Sequence, residues 1–264
     1  MRTVLDLGEH GTGKTSFALT MPRPAYLFSF DQGYRTGAAT EGVRAAVWEK
    51  EDRTRPTVYK EFMPKFRALM RKEGEYVWPG GTGKKEPFRS IILDGWSFLS
   101  RSIFDHFQYI NSNIDKPGGY NVYGLVRSHS EDILRAVMDA SEQDDITVGV
   151  TALPELVKDE DNPGVVYLGP SCVGSIKNDM GAMFDAVIFS HVDAPKKGAP
   201  PSEKPKYWVR TQTEGLERCR LRIPPQIADC LSPMEEPNFA KMKGKIDAAW
   251  KAWSAKQPAP RGAA

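Results

Sequence analysis

Near its start the chain reads Thr3-Val4-Leu5-Asp6-Leu7 and then Gly8-Glu9-His10-Gly11-Thr12-Gly13-Lys14-Thr15, and the fold follows from this stretch. An apolar run of strand character ends in G-x-x-x-x-G-K-[ST], and a helix-like segment over residues 14–20 follows, which is the context of a nucleotide-binding phosphate loop. Each residue type has a physical reason. The glycines let backbone N–H groups face the phosphates, Lys14 places a point charge at the β/γ-phosphates, and the Thr15 hydroxyl is a hard oxygen donor for Mg²⁺. The following helix aims its positive end at the same anion. The expected contacts with ATP therefore run through Gly8, Glu9, His10, Gly11, Thr12, Gly13, Lys14, Thr15 and Ser16.

Outward from the loop, short β-type runs alternate with helical ones, the pattern of a parallel sheet with crossover helices. Strands are expected at residues 25–30, 90–94, 146–151 and 184–189, with 207–211 as a hairpin partner of the last. Helices are expected at 57–72, 97–110, 125–142, 176–183 and 240–253. The segment 153–175 reads as a long, mostly irregular connection. Residues 73–87 read as a surface loop, because Gly80-Gly81-Thr82-Gly83-Lys84-Lys85 lacks the Ser or Thr that a second phosphate loop requires.

Composition bounds the function. At 264 residues and 40% hydrophobic content the chain has enough apolar side chains for one α/β core. No apolar stretch approaches membrane-spanning length and no signal peptide is read at the N-terminus, so a cytoplasmic protein without a membrane segment is expected. Cys172, Cys219 and Cys230 have no metal-ligand spacing and are read as small apolar residues. With a net charge of only +2, any nucleic-acid contact must come from local patches.

Within Ser90-Ile91-Ile92-Leu93-Asp94 the closing acid has the form of a Walker B strand, with Asp94 holding Mg²⁺ opposite Thr15. No N-K-x-D element occurs, which argues against a guanine-specific GTPase. Gly95 stands where cassette and AAA+ ATPases usually carry a catalytic Glu.

The ordered set of residues 8–15, Phe30-Asp31-Gln32-Gly33, Ile92-Leu93-Asp94-Gly95, Tyr120-x-x-Tyr123-Gly124, Thr151 and Phe184-Asp185 resembles the small phage-encoded RecA-like ATPases of the AAA-domain group. Minimal recombinases that promote single-strand annealing are among them. The resemblance covers roughly residues 1–225, leaving 226–264 as a basic helix and a tail expected to be disordered.

The resemblance implies an α/β, RecA-like P-loop NTPase core: a mostly parallel sheet flanked by helices, with a C-terminal β-hairpin and the fourth strand between the first and third. It implies that Asp31 activates water, that Thr151 senses the γ-phosphate, and that an Arg or Lys, with Arg210 as candidate, completes a neighbouring subunit's site in a ring or filament. The family usually has Glu at the position of Asp31 and often His at that of Thr151. A carboxylate drawn back by about 1.5 Å is expected to slow hydrolysis.

Single-stranded DNA is the implied partner, through the loop 111–124 with Lys116, Tyr120 and Tyr123 as contacts, together with a single-strand-binding protein. Two other classes remain open on the residues: a nucleotide-gated assembly protein with little turnover, and a small-molecule phosphotransferase. Segment 153–175 contains no Arg, which counts against a kinase lid.

Overall fold

The structure, a computed structural model, describes the chain except for residues 32–39, 49–50, 74–77, 80–84, 113–120, 160–161, 163, 196–199, 201 and 257–264. In chain order the elements begin with β1 (Thr3–Leu7), α1 (Lys14–Ala18), β2 (Ala25–Ser29), β3 (Val43–Val47), α2 (Val58–Met70), β4 (Trp78–Pro79), β5 (Lys85–Glu86) and β6 (Ser90–Asp94). Then come α3 (Trp96–Ser112), α4 (Val122–Asp144), β7 (Thr147–Ala152), β8 (Pro154–Lys158), β9 (Val166–Pro170) and α5 (Ile176–Met180). The chain closes with β10 (Ala186–Asp193), β11 (Lys206–Arg210), β12 (Arg220–Leu221), β13 (Met234–Glu235) and α6 (Phe239–Ser254).

The main sheet has the order β13-β11-β10-β1-β7-β6-β2-β3, with β12 also paired to β10. From β10 to β3 all pairings are parallel, and β11, β12 and β13 extend one side antiparallel. The fourth expected strand, β7, lies between β1 and β6, and β10 with β11 forms the expected hairpin. This is the expected α/β architecture, a mostly parallel sheet flanked by helices.

Every residue of β1, β2, β6 and β7 is buried, as parallel strands covered on both faces must be. On one face Leu5, Leu7, Phe28, Leu93 and Val150 pack with Phe62 of α2, Ile103 of α3 and Ile133 of α4. On the other, Val4, Leu27, Ile92 and Ile188 meet Phe17 of α1 and Phe239, Met242 and Ile246 of α6. The period-2 alternation of the strands divides the apolar residues between these two cores.

The structure corrects the sequence reading in five places, one of them within residues 73–87, read as a surface loop, where β4 and β5 pair antiparallel. Segment 153–175 is not mostly irregular: β8 and β9 pair antiparallel from Pro154↔Pro170 to Lys158↔Val166. β3, which the reading did not contain, adds a parallel edge strand beside β2. Helix α4 starts at Val122, so Tyr123 and Gly124 are helical and not loop residues. β12 and β13 carry the sheet beyond the hairpin. Lys116 and Tyr120, and the tail from 257 onward, lie outside the described residues. Cys172 is buried as expected, whereas Cys219 and Cys230 are half-buried; none of the three is in a disulfide.

Candidate functional site

Parallel register sets the site at the carboxyl ends of neighbouring strands, where open α/β sheets bind ligands. Asp6 stands opposite Thr151, and Ser29, two residues before Asp31, stands opposite Asp94. The phosphate loop leaves β1 at the same edge. Gly11 and Gly13 adopt left-handed φ values of 78° and 89°, which only glycine reaches without strain, and such turns arrange successive N–H groups into an anion-binding concavity. Gly8 is fixed by contact: an added Cβ would lie 2.7 Å from the Ser190 backbone oxygen. Thr12 closes the turn by donating to the Glu9 carbonyl at 2.9 Å.

Lys14, Thr15, Asp94 and Thr151 come together here. The Lys14 ammonium donates to the carbonyls of Gly8 (2.6 Å) and Glu9 (2.8 Å), and burial holds its pKa below the usual lysine value. The Thr15 hydroxyl lies 3.0 Å from both Asp94 carboxylate oxygens. The buried Thr151 hydroxyl donates to the Asp94 carboxylate at 2.7 Å and accepts from the Gly95 N–H at 2.9 Å. Thus the hydroxyl expected to sense the γ-phosphate is engaged in orienting Asp94.

Burial, reinforced by the negative charge of Asp31, pushes the Asp94 carboxyl up to about 6, against the pull of the Thr151 and Thr15 hydrogen bonds and of Lys14. Asp31 itself is beside this group, its Cγ 3.5 Å from where a Cβ on Gly95 would stand. The donor set fits Mg²⁺ with a nucleotide: Thr15 and Asp94 offer hard oxygens, and the loop offers N–H groups and one ammonium.

Other expected residues lie apart from this cluster. Arg210, on β11, ion-pairs with Glu214 and Glu217 of its own chain, and His191 also meets Glu217 at 2.9 Å. His10 faces Phe98 at the head of α3, with ring centroids 6.3 Å apart. Tyr123 is 60% exposed on the first turn of α4, its ring 5.4 Å from that of Phe104, over which the Arg101 guanidinium sits at 5.0 Å.

Two residues that the sequence reading passed over belong to the site. Asp6 is 2% exposed, accepts from the Ser190 hydroxyl at 2.8 Å, and leaves its second oxygen without a hydrogen bond. Burial pushes its carboxyl up to about 7. An acid inside the otherwise apolar run Val4-Leu5-Asp6-Leu7 was the available signal. Tyr207, on β11, lies against Gly13 of the loop. Its pairing with the loop is tertiary and leaves no trace in local sequence.

Comparison with curated proteins finds no match. Among solved structures, a KaiC-like protein from the hyperthermophilic archaeon Pyrococcus horikoshii OT3 is similar over 79% of this chain and 77% of that one, at 12% identity and a TM-score of 0.36. Among the described residues no helix is long and apolar enough to cross a membrane. A family model described as AAA domain matches residues 2–215, the span that holds the phosphate loop, Asp94 and Thr151, and the chain belongs to that family of P-loop ATPase domains.

Proposed function

We propose that the protein is a Mg²⁺-dependent ATPase that acts on single-stranded DNA in phage recombination or replication, by annealing or strand exchange. The observation that carries the ATPase reading is the single hydrogen-bonded cluster of Thr15, Asp94 and Thr151, with Lys14 and Asp31 at its edge. In this reading Thr15 and Asp94 hold the metal, which supplies charge neutralisation at the phosphates. Lys14 leaves its loop carbonyls for the β/γ-phosphates, and Thr151 keeps Asp94 in one orientation. Asp31 positions the attacking water, and its shorter side chain makes turnover slow. A ring or filament of identical subunits brings a cation such as Arg210 to a neighbour's site once its pairing with Glu214 and Glu217 is exchanged.

The DNA reading is supported by the exposed Tyr123 ring with Phe104 and Arg101 beside it, an aromatic and cationic combination suited to stacking on unpaired bases. It is supported also by the family resemblance, which includes cooperation with a single-strand-binding protein. ATP turnover measured with and without single-stranded DNA tests the proposal. Stimulation is expected, with Lys14→Ala inactive, Asp31→Asn retaining ATP without hydrolysing it, and Asp31→Glu faster than wild type. Turnover indifferent to DNA selects instead a nucleotide-gated assembly protein. That second reading is favoured by the short acid at position 31.

A further inference from the structure

The phosphate loop has two flanks, and they differ in chemistry. On one side of β1 lie β7 and β6, which bring Thr151 and Asp94 to the loop, together with Asp31 at the end of β2. On the other side lie β10 and β11. Tyr207 of β11 pairs with Val192 of β10, and two residues on along the same face of the strand Val209 is buried in the core that contains Phe17 of α1. Tyr207 therefore stands on the face of the sheet that α1 covers.

Its ring is pressed to the loop. A Cβ built on Gly13 would stand 3.0 Å from Tyr207 Cδ1 and 3.6 Å from both Cγ and Cε1, so the flat side of the aromatic system meets the glycine immediately before Lys14. Yet the residue is 40% exposed, so its contact with Gly13 does not cover it. A tyrosine that served only to seal the loop would gain more by being covered.

These two observations fix a direction. A nucleoside triphosphate held with its terminal phosphates against Lys14, Thr15 and Asp94 has its charged end on the β6 and β7 flank. Its sugar and base extend away from that end, and the flank opposite β6 and β7 is the one that carries Tyr207 against the loop. We propose that Tyr207 is the nucleobase platform of this site, a stacking surface that adds affinity for the base and reads none of its edges. The inference rests on the nucleotide-site reading above and names the element that recognises the other half of the ligand. Because every base has a π-face, stacking of this kind is tolerant of base identity, so ATP and GTP gain from Tyr207 alike.

Affinities of wild type, Tyr207→Ala, Tyr207→Phe and Tyr207→Leu for ATP, GTP and inorganic tripolyphosphate, each with Mg²⁺, test this. Tyr207→Ala is expected to weaken ATP and GTP by roughly ten- to a hundredfold while tripolyphosphate, which has no base, binds as to wild type. Tyr207→Phe retains the ring and restores nucleotide affinity. Tyr207→Leu keeps apolar bulk against Gly13 without a π-face, so it separates stacking from loop packing and is expected to behave like Ala toward nucleotides. The inference is overturned if Tyr207→Ala binds ATP as wild type does, if tripolyphosphate and ATP weaken in the same proportion, or if Tyr207→Leu is as good as Phe. Wild-type protein that binds neither ATP nor tripolyphosphate overturns the nucleotide site itself, and this inference with it.

Discussion

Asp6 shows how much a single buried group tells about a site. A carboxyl inside a parallel strand ordinarily costs several kcal/mol unless it is neutral or fully partnered. Here Ser190 satisfies one oxygen only, Lys14 provides a nearby positive charge, and burial still dominates, so the carboxyl is held up to about 7. The folded value lies above the unfolded one. The contribution of Asp6 to stability is therefore complete below about pH 4 and is lost as pH rises through about 7. Between pH 5 and pH 8 this amounts to a loss on the order of 2–3 kcal/mol. Asp6→Asn keeps an oxygen for Ser190 and removes the titration. Thermal unfolding at both pH values is expected to show a mutant whose advantage over wild type grows toward pH 8. Parallel pH curves for the two proteins would assign the burial cost to some other group.

At the level of elements, α2 is held to the sheet by an aromatic block. Phe62 is fully buried and meets Phe28 and Phe30 edge-on, each at 5.2 Å between centroids, while Phe30 stacks on Trp48 at 5.3 Å. Phe62→Ala removes the ring common to the two edge-on contacts, and a loss of about 3–5 kcal/mol is expected in chemical denaturation. A loss below about 1 kcal/mol would mean that α2 collapses into the gap.

The same helix shows what periodicity carries and what it does not. Val58, Phe62, Phe66 and Leu69 recur at helical spacing, and their burial overrides the interior Pro64 that local propensity penalises. The strand ends at Asp94 and Thr151 were legible because apolar runs ending in polar residues mark strand ends, whereas the sheet order and the place of Thr151 beside the loop came from the family resemblance. β8 and β9 were not: Pro154, Glu155, Lys158 and Gly169 dilute the strand signal. This hairpin is held by long-range bonds, the Leu168 N–H to the Leu216 carbonyl at 2.8 Å and Arg218 to Asp159 at 2.7 Å. β3 was passed over because Val43-Arg44-Ala45-Ala46-Val47 is an edge strand with weak apolar character.

For the whole molecule, near-neutral charge sets the terms of any DNA contact. With 36 basic against 34 acidic residues there is no overall field to attract a polyanion, so binding depends on a few local cations and on stacking. Single-strand affinity is expected to fall with salt on a shallow logarithmic slope, about one unit or less per phosphate neutralised. Tyr123→Ala is expected to weaken it by about 1–3 kcal/mol at every salt concentration with the slope unchanged. A mutant that lowers the melting temperature but leaves single-strand affinity intact would make Tyr123 a packing partner of Phe104 alone.

The position of β1 also sets a timetable for synthesis. The strand that carries the phosphate loop is made before both of its sheet neighbours, residues 147–152 and 186–193. A nascent chain grown as far as residue 140 holds β1, β2, β3 and β6 with the central slot between β1 and β6 still empty. Both hydrogen-bonding edges of β1 then wait for strands not yet made, a long-range closure that is slow and exposed to mispairing. The nucleotide site proposed above would thus be complete only after β7 and β10 have both emerged, which makes nucleotide binding a marker for the moment at which the sheet closes.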